Sequence, residues 1–299
     1  MCALVEPADV GHLKQRPAQF SHNSGAPSDR LSGNDRTSVD VVLSSGFLAF
    51  AAHSGFLQAV QDRGLRVNGV MGTSAGALTG ALFAAGYAPA DLASVLSERT
   101  PLSYLALNAE SLHSGVFRLD RAIARLRELL PATFEELPIR FACGVIDVNG
   151  RHVTVSSGPL PEAVAASFAI PCLFAAVDIP GRLVGGPYAD GGKVDRVGLR
   201  PWRQLLGGGR AGGGRSSAVP TICHVIQRSS PFSGDDDVAA AARMVSAGAP
   251  VLVVHSPRSR QSLLGLTDFG TQFHDARLRA TQVLDAGREE LLGEALAAL

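Results

Sequence analysis

Two strand–turn–helix units follow each other between residues 39 and 86, and they constrain the fold more than any other feature. The first is a β-branched run at 39–43, a turn at Gly46 and an apolar-periodic segment that ends at Gly64. The second is the strand-like LRVNGVM followed by the helical SAGALTGALFAAG. Strands that alternate with helices are typical of a parallel sheet covered by crossover helices. We therefore expect an α/β fold with three layers, α/β/α, around a mostly parallel central sheet.

The remaining chain extends this pattern, so one α/β domain over residues 39–299 accounts for it. The patterns predict a helix at 119–130, a hairpin around Asn149-Gly150, a short helix at 161–171, strand–turn–strand–loop at 174–194, strands at 221–227 and 250–256, and helices at 238–248 and 271–299. GGGRAGGGRSS at 207–217 is of low complexity and is interpreted as a flexible excursion. An alternative for the uncharged stretch 67–90 is a membrane span with a GxxxG repeat, but its polar residues and glycines favour strand–turn–helix.

Residues 1–38 are predicted to be a disordered extension, because they are rich in Ser, Pro, Gly, Asn and Arg and lack periodicity. They have no apolar core of the signal-peptide kind, although their Arg and Ser content leaves a targeting segment open. The four cysteines form no CxxC pair, which argues against a zinc ribbon or a disulfide scaffold. Cys143, Cys172 and Cys223 are expected to be buried thiols. An intracellular, reducing compartment fits best: the cytoplasm, with a plastid or another organelle as the alternative.

The charge balance excludes one class of partner. Lys plus Arg equals Asp plus Glu, at 27 each, so no global charge would attract nucleic acid. The sequence has no HExxH and no paired His–carboxylate cluster, and Asp235–Asp237 is better interpreted as the solvated start of a helix. We therefore expect neither a metal nor a cofactor. The oligomeric state is left open.

The strongest chemical signal is Gly-Thr-Ser-Ala-Gly, residues 72–76, between the second strand and its helix. Gly-x-Ser-x-Gly in this context is the pattern of a nucleophile elbow, in which Ser74 would project from a strained turn. Gly72 and Gly76 would let strand and helix approach closely. The N–H of Ala75, at the positive end of the helix, is a natural donor to an oxyanion. The alternative to a catalytic turn is a run of small residues that serves only close packing.

A serine nucleophile needs a base. The histidines after Ser74 are His113, His152, His224, His255 and His274, of which His224 and His255 lie in strand-like runs typical of core histidines. The other option is a carboxylate on a tight turn, and YADGG at 188–192 offers Asp190 followed by Gly191 and Gly192. An ordinary Asp-Gly surface turn is the competing interpretation.

With these motifs in hand, the chain resembles the patatin-like phospholipases, serine acyl hydrolases that use a Ser–Asp dyad. The matching pieces occur in the family's order over residues 40–195: LSSGFLAFAAHSGFLQAV (43–60), GTSAG (72–76), ASFAIPCLFAAVDIPG (166–181) and YADGG (188–192). The resemblance implies that Ser74 is the nucleophile and Asp190 the general base. It also implies an oxyanion hole of backbone N–H groups in the first loop and at Ala75.

The first loop departs from the family pattern, which has a run of glycines, then a basic residue and another glycine. Here Gly46 is the one glycine left of the run, Ala49 stands at the basic position and Phe50 at the closing glycine. The backbone N–H groups of Gly46 and Phe47 can still act as oxyanion donors, since every residue except proline has one. Because Phe47, Leu48 and Phe50 are apolar, we expect the loop to favour an acyl chain over a charged head group.

These observations predict a lipid acyl hydrolase of the phospholipase, lysophospholipase or galactolipase kind, which works through a covalent acyl-enzyme on Ser74. The expected partners are an acyl lipid substrate and, transiently, a membrane surface. Two alternatives remain: a conventional α/β-hydrolase with a Ser-His-Asp triad, and a catalytically weak patatin-like domain that binds lipid. The triad fold is disfavoured because the elbow follows only one strand before its own.

Overall fold

A seven-stranded mixed sheet runs through the part of the chain that the structure describes. The computed structural model describes residues 37–109, 115–182, 184–207, 219–228, 251–266 and 268–287. The strands of this sheet are β1 (Ser38–Leu43), β2 (Arg66–Thr73), β5 (Arg140–Ile146), β6 (His152–Val155), β7 (Ala189–Asp190), β8 (Thr221–Ile226) and β9 (Val251–Ser256). A separate small hairpin pairs β3 (Ala106–Leu107) with β4 (Phe117–Arg118).

The sheet order is β6-β5-β2-β1-β8-β9, and the pairs from β5 through β2, β1 and β8 to β9 are all parallel. Strands β6 and β7 both run antiparallel to β5. The described helices are α1 (Phe50–Asp62), α2 (Ala75–Ala84), α3 (Leu92–Ser97), α4 (Asp120–Leu129), α5 (Leu160–Ser167), α6 (Leu199–Gly207) and α7 (Phe269–Ala286).

The core divides into two sides because successive strand residues face opposite layers. Val41 and Leu43 of β1 belong to a large cluster with buried residues of α1, α2, α5 and α7. Val42 belongs instead to a smaller cluster with Trp202 of α6. Helices therefore cover both faces of the sheet, and the predicted three-layer α/β/α class with its mostly parallel sheet is confirmed.

The register at the end of β2 positions the site. Thr73, the last residue of β2, pairs with Gly144 of β5, and the next β5 residue, Val145, pairs with Asp190 of β7. Strands β2 and β7 therefore pair with the same edge of β5, one after the other along its length. This places the residue after Thr73 next to Asp190.

Most predicted elements match the structure. The strands at 39–43, 65–71, 221–227 and 250–256, the helices at 51–64, 74–86 and 119–130, and the Asn149-Gly150 hairpin are all confirmed. Because residues 67–90 form strand β2 and helix α2, the membrane-span alternative is wrong for this stretch. Across the described ranges, no helix has both the length and the apolar character needed to span a bilayer.

Two predictions need correction, and three others lie wholly or almost wholly outside the described residues. Instead of two full strands, the described part of residues 174–194 contains isolated bridges at Phe174 and between Val177 and Tyr188, and the two-residue β7. Pro180 and Pro187 of this segment have no N–H for a ladder. Cys172 is exposed, whereas Cys143 and Cys223 are buried as predicted. Residues 1–36, 208–218, 229–250 and 288–299 fall outside the described part, and with them nearly all of the predicted extension, the Gly-rich excursion and the helix at 238–248.

Candidate active site

Ser74 lies on the turn between β2 and α2 in a backbone conformation that few side chains tolerate, with φ 56° and ψ −118°. The two flanking glycines make this turn fit. A Cβ on Gly72 would lie 2.6 Å from the Cα of Ala77, and a Cβ on Gly76 would lie 2.7 Å from the carbonyl oxygen of Ser44. Both distances are shorter than real Cβ contacts, so strand β1, strand β2 and helix α2 can meet here only because these positions are glycine.

A neighbouring helix holds the Ser74 backbone in place. The N–H of Ser74 donates to the hydroxyl oxygen of Ser167, the last residue of α5, at 3.0 Å. The Ser167 hydroxyl in turn donates to the carbonyl of Gly144 on β5, at 2.7 Å. Ser167 is fully buried. Ser167 lies in the family-like motif ASFAIP, but no local pattern predicts a role for it, because the contact joins residues 93 positions apart.

Asp190 lies beside Ser74, as the register of β7 requires, and the Ser74 hydroxyl is one of the groups that lower the pKa of its carboxyl. The carboxyl group also accepts a hydrogen bond from the N–H of Gly192, at 2.7 Å. Only 6% of Asp190 is exposed. Burial raises the pKa of Asp190 to about 6, while the Ser74 hydroxyl, the Gly192 N–H and the charge of Arg196 act in the opposite direction. The group is therefore mostly ionised at neutral pH, yet more basic than an ordinary aspartate.

The turn after Asp190 is also tightly enclosed. A Cβ on Gly191 would lie 2.5 Å from the carbonyl of Gly144, and a Cβ on Gly192 would lie 2.8 Å from the Cβ of Ser45. Glycines at 191 and 192 therefore let the Asp190 turn sit between β5 and the loop that follows β1. An ordinary surface turn would leave both positions open.

None of the described histidines hydrogen-bonds to Ser74 or Asp190. His224 is a core histidine, as predicted: its two ring nitrogens pair with His53 and Ser256, each at 2.9 Å. His53 donates from Nε2 to the carbonyl of Ser44, so its Nδ1 accepts from His224. Burial lowers the pKa of His53 to about 3 and that of His224 well below its ordinary value. Of the other predicted histidines, His152 and His255 are half-buried, His274 is exposed, and His113 lies outside the described residues.

The loop after β1 forms a turn in front of the elbow. The N–H of Ala49 donates to the carbonyl of Gly46 at 3.0 Å, and Leu48 takes a positive φ of 51°. Within the described ranges, the N–H groups of Gly46, Phe47 and Ala75 have no protein acceptor. These are the three predicted oxyanion donors, and two of them lie on this loop and one at the first position of α2.

Arg196 fastens this loop. Its guanidinium donates to the hydroxyl and the carbonyl of Ser45, at 3.1 and 3.0 Å, and to the carbonyl of Ile226 at 3.0 Å. Its own carbonyl accepts from the N–H of Ser45 at 2.7 Å. No local pattern in the sequence connects Arg196 to Ser45, which lies 151 positions away.

An apolar cavity of about 150 Å³ opens beside Ser74. Its walls come from the loop after β1, from α2, α3, α4 and the segments near 101–105, 168–174 and 263–266, and they include Phe47, Leu48, Phe50, Leu78, Leu96 and Leu126. The three apolar residues of the loop after β1, Phe47, Leu48 and Phe50, therefore line the cavity. The charged residue of the lining, Arg125, is paired with Glu98 and Glu128.

In the described part of the chain, no group of three or more His, Cys, Asp or Glu side chains could hold a metal ion. The fold and the site together define a class of protein: a three-layer α/β protein with a serine on a strained strand–helix turn, an aspartate beside it and an apolar cavity in front. The chain belongs to the patatin-like phospholipase family, whose model matches residues 41–201. Membership confirms the resemblance found in the motifs.

Similar proteins include two uncharacterized NTE family proteins, one from Mycobacterium bovis and one from Mycobacterium tuberculosis. Each is 34% identical over 176 residues, which cover 58% of this chain and 47% of the relative. The chain thus spans about half the length of these curated relatives. Among solved structures, VipD from Legionella pneumophila has a TM-score of 0.45 at 16% identity, over 83% of this chain and 67% of its own. ExoU from Pseudomonas aeruginosa, in its complex with SpcU, has a TM-score of 0.42 at 15% identity, over 84% and 51%.

Proposed function

We propose that this protein is a lipid acyl hydrolase in which Ser74 is the nucleophile and Asp190 the general base. The observation that carries the proposal is the sheet register, which places a buried, basic Asp190 beside Ser74 at an apolar cavity. In the first step, Asp190 takes the proton of Ser74 while the serine oxygen attacks the ester carbonyl. The proton then passes to the departing alcohol, and water activated by Asp190 releases the fatty acid from the acyl-enzyme.

The oxyanion of each step would lie among the N–H groups of Gly46, Phe47 and Ala75. Two features support this assignment: these groups have no protein acceptor among the described residues, and Ala75 begins α2, whose positive end faces the serine. Because the donors are backbone groups, the absence of a basic side chain at Ala49 does not remove them. No step of this scheme requires a metal or a cofactor.

The cavity supports an acyl chain as the group that the site recognises. A head group with charge would find one charged lining residue, Arg125, already paired with two glutamates. An alkyl chain would instead bury apolar area against the cavity walls, at roughly 25 cal/mol per Å². We expect turnover to increase from acetate to octanoate and palmitate esters of one alcohol.

A matched pair of variants on α4 tests this recognition. Ala122 lines the cavity, whereas Ala124 on the same helix is exposed. Ala122→Phe should lower kcat/KM for the longer esters about tenfold or more, because overfilling an apolar pocket by a few methylenes costs about that much. Hydrolysis of the acetate ester by this variant should stay near the wild-type rate. The control Ala124→Phe should stay near the wild type for all esters. Equal activity toward short and long esters in the wild type would count against an acyl-chain site.

A lipid surface is the proposed transient partner. Three large apolar side chains that line the cavity or adjoin its lining in sequence are exposed: Phe47 (49%), Leu102 (38%) and Leu264 (76%). They would lower the cost of contact with the aggregate in which an acyl lipid resides. In a sedimentation assay, we expect the wild type to bind neutral phosphatidylcholine vesicles and Leu264→Asp to bind them less. Equal binding of the variant and the wild type would contradict this contact.

A further inference from the structure

Arg196 connects its own segment to two others that are distant in sequence: the loop after β1 and the end of β8. Its guanidinium contacts the hydroxyl and carbonyl of Ser45 in the loop after β1, and the carbonyl of Ile226 at the end of β8. Because its own carbonyl also accepts from Ser45, the loop is bound to this residue by both backbone and side chain. The next residue, Gly46, is the first of the proposed oxyanion donors.

The same guanidinium also acts on the proposed base. The groups that act on the Asp190 carboxyl are the Ser74 hydroxyl, the Gly192 N–H and the charge of Arg196, and Arg196 is the cation among them. Its charge lowers the pKa of Asp190 and so opposes the effect of burial. A cation at this position therefore favours the ionised form that can accept the serine proton.

We propose that Arg196 is a positioning residue that supplies, from beyond the YADGG turn, the basic group that the loop lacks at Ala49. It holds the loop so that the N–H groups of Gly46 and Phe47 face the reacting carbonyl, and its positive charge acts on the Asp190 carboxylate. The inference rests on the proposed function and deepens it, because it explains how the altered loop keeps its shape without its own basic residue.

The two parts of this role depend on different properties of the side chain. Holding the loop requires the planar fork of arginine, which donates to two carbonyls and a hydroxyl at once. The effect on Asp190 requires only a positive charge nearby. Arg196→Lys keeps the charge and loses the fork, whereas Arg196→Met loses both, so the two variants separate the effects.

The test is the rate at which a fluorophosphonate probe labels Ser74, measured from acidic to alkaline pH in the wild type, both variants and Arg200→Met. Arg200 is exposed, lies four positions away and serves as the control. In both Arg196 variants the labelling rate should fall at least about tenfold, toward the roughly 10²–10³ that losing one oxyanion donor costs. The acidic limb of the profile should move to higher pH in Arg196→Met and stay near the wild type in Arg196→Lys.

A purely structural role would lower the folded fraction, and hence the amount labelled, without moving the acidic limb. Circular dichroism of each variant measures that fraction separately. Wild-type rates and an unmoved limb in both folded Arg196 variants would overturn the inference alone. Absence of Ser74 labelling in the wild type would overturn the proposed function, and this inference with it.

Discussion

At the scale of single residues, the site is built from groups that are unfavourable in isolation. Ser74 occupies a left-handed backbone region, and Asp190 is a carboxyl group withdrawn from water. Each of these costs of order 1–3 kcal/mol, and the surrounding fold has to compensate for it. Such costs at adjacent residues are typical of positions held for chemistry rather than for stability.

The strain at Ser74 gives a stability prediction. Ser74→Ala keeps the backbone strain, while Ser74→Gly removes it, because glycine adopts a positive φ without steric cost. We expect the glycine variant to melt at a higher temperature than the alanine variant. The free energy of unfolding should differ by about 1 kcal/mol, after the greater chain entropy of unfolded glycine is subtracted. Thermal unfolding of the two variants checks this. A glycine variant that is the less stable of the two would contradict the strain argument.

The raised pKa of Asp190 gives a pH prediction. Activity should increase with pH through about 6, where the carboxyl group loses its proton, instead of through the ordinary aspartate range. Because the folded pKa lies above the unfolded value of 3.8, ionisation of Asp190 destabilises the fold progressively as pH rises from about 4 to about 6. Asp190→Asn should therefore be inactive, yet more stable than the wild type above about pH 6 and not below about pH 4.

The pH–rate profile and denaturant unfolding at several pH values measure these two effects. An activity profile that follows an ordinary aspartate, or an asparagine variant with no stability gain at neutral pH, would refute the burial argument.

At the scale of elements, the sequence predicted the turn between β2 and α2, but not the contact with α5 that holds this turn in place. Short β-branched runs and helical periodicity predicted β1, β2, α1 and α2, because local preferences and burial agree there. The segment 174–194 was predicted with two full strands, but its described residues form isolated bridges and the two-residue β7, because its prolines cannot donate to a ladder. The contact from α5 to the elbow could not be predicted, since it depends on how α5 packs.

Ser167 provides the test at this scale. Ser167→Ala leaves the buried N–H of Ser74 and the carbonyl of Gly144 without this partner, which should destabilise the fold by about 1–3 kcal/mol. The probe-labelling rate at Ser74 should also fall, because the elbow is no longer fixed. Ser157 is exposed, and Ser157→Ala is the control. Unchanged stability and labelling in Ser167→Ala would show that the elbow holds its shape without α5.

At the scale of the whole molecule, the sheet register assembles the site. The motifs GTSAG and YADGG could be identified in sequence, and the resemblance to the family joined them. The two motifs meet because β2 and β7 pair with the same edge of β5, one after the other. No local sequence pattern encodes this pairing. The same applies to Arg196, whose three contacts lie on two other segments, and to the cavity walls from α3 and α4. Sequence patterns thus predicted the layers and the chemistry, and tertiary packing determined the supporting residues.

The central claim is that this assembly activates Ser74 through Asp190. The most direct test is to expose the purified protein to a fluorophosphonate probe and to locate the modified residue by mass spectrometry, with Ser74→Ala and Asp190→Asn alongside. We expect labelling at Ser74 in the wild type and none in either folded variant. A folded wild-type protein that remains unlabelled, or an Asp190→Asn variant that labels at the wild-type rate, would contradict the claim. The first of these results would favour a lipid-binding domain without turnover.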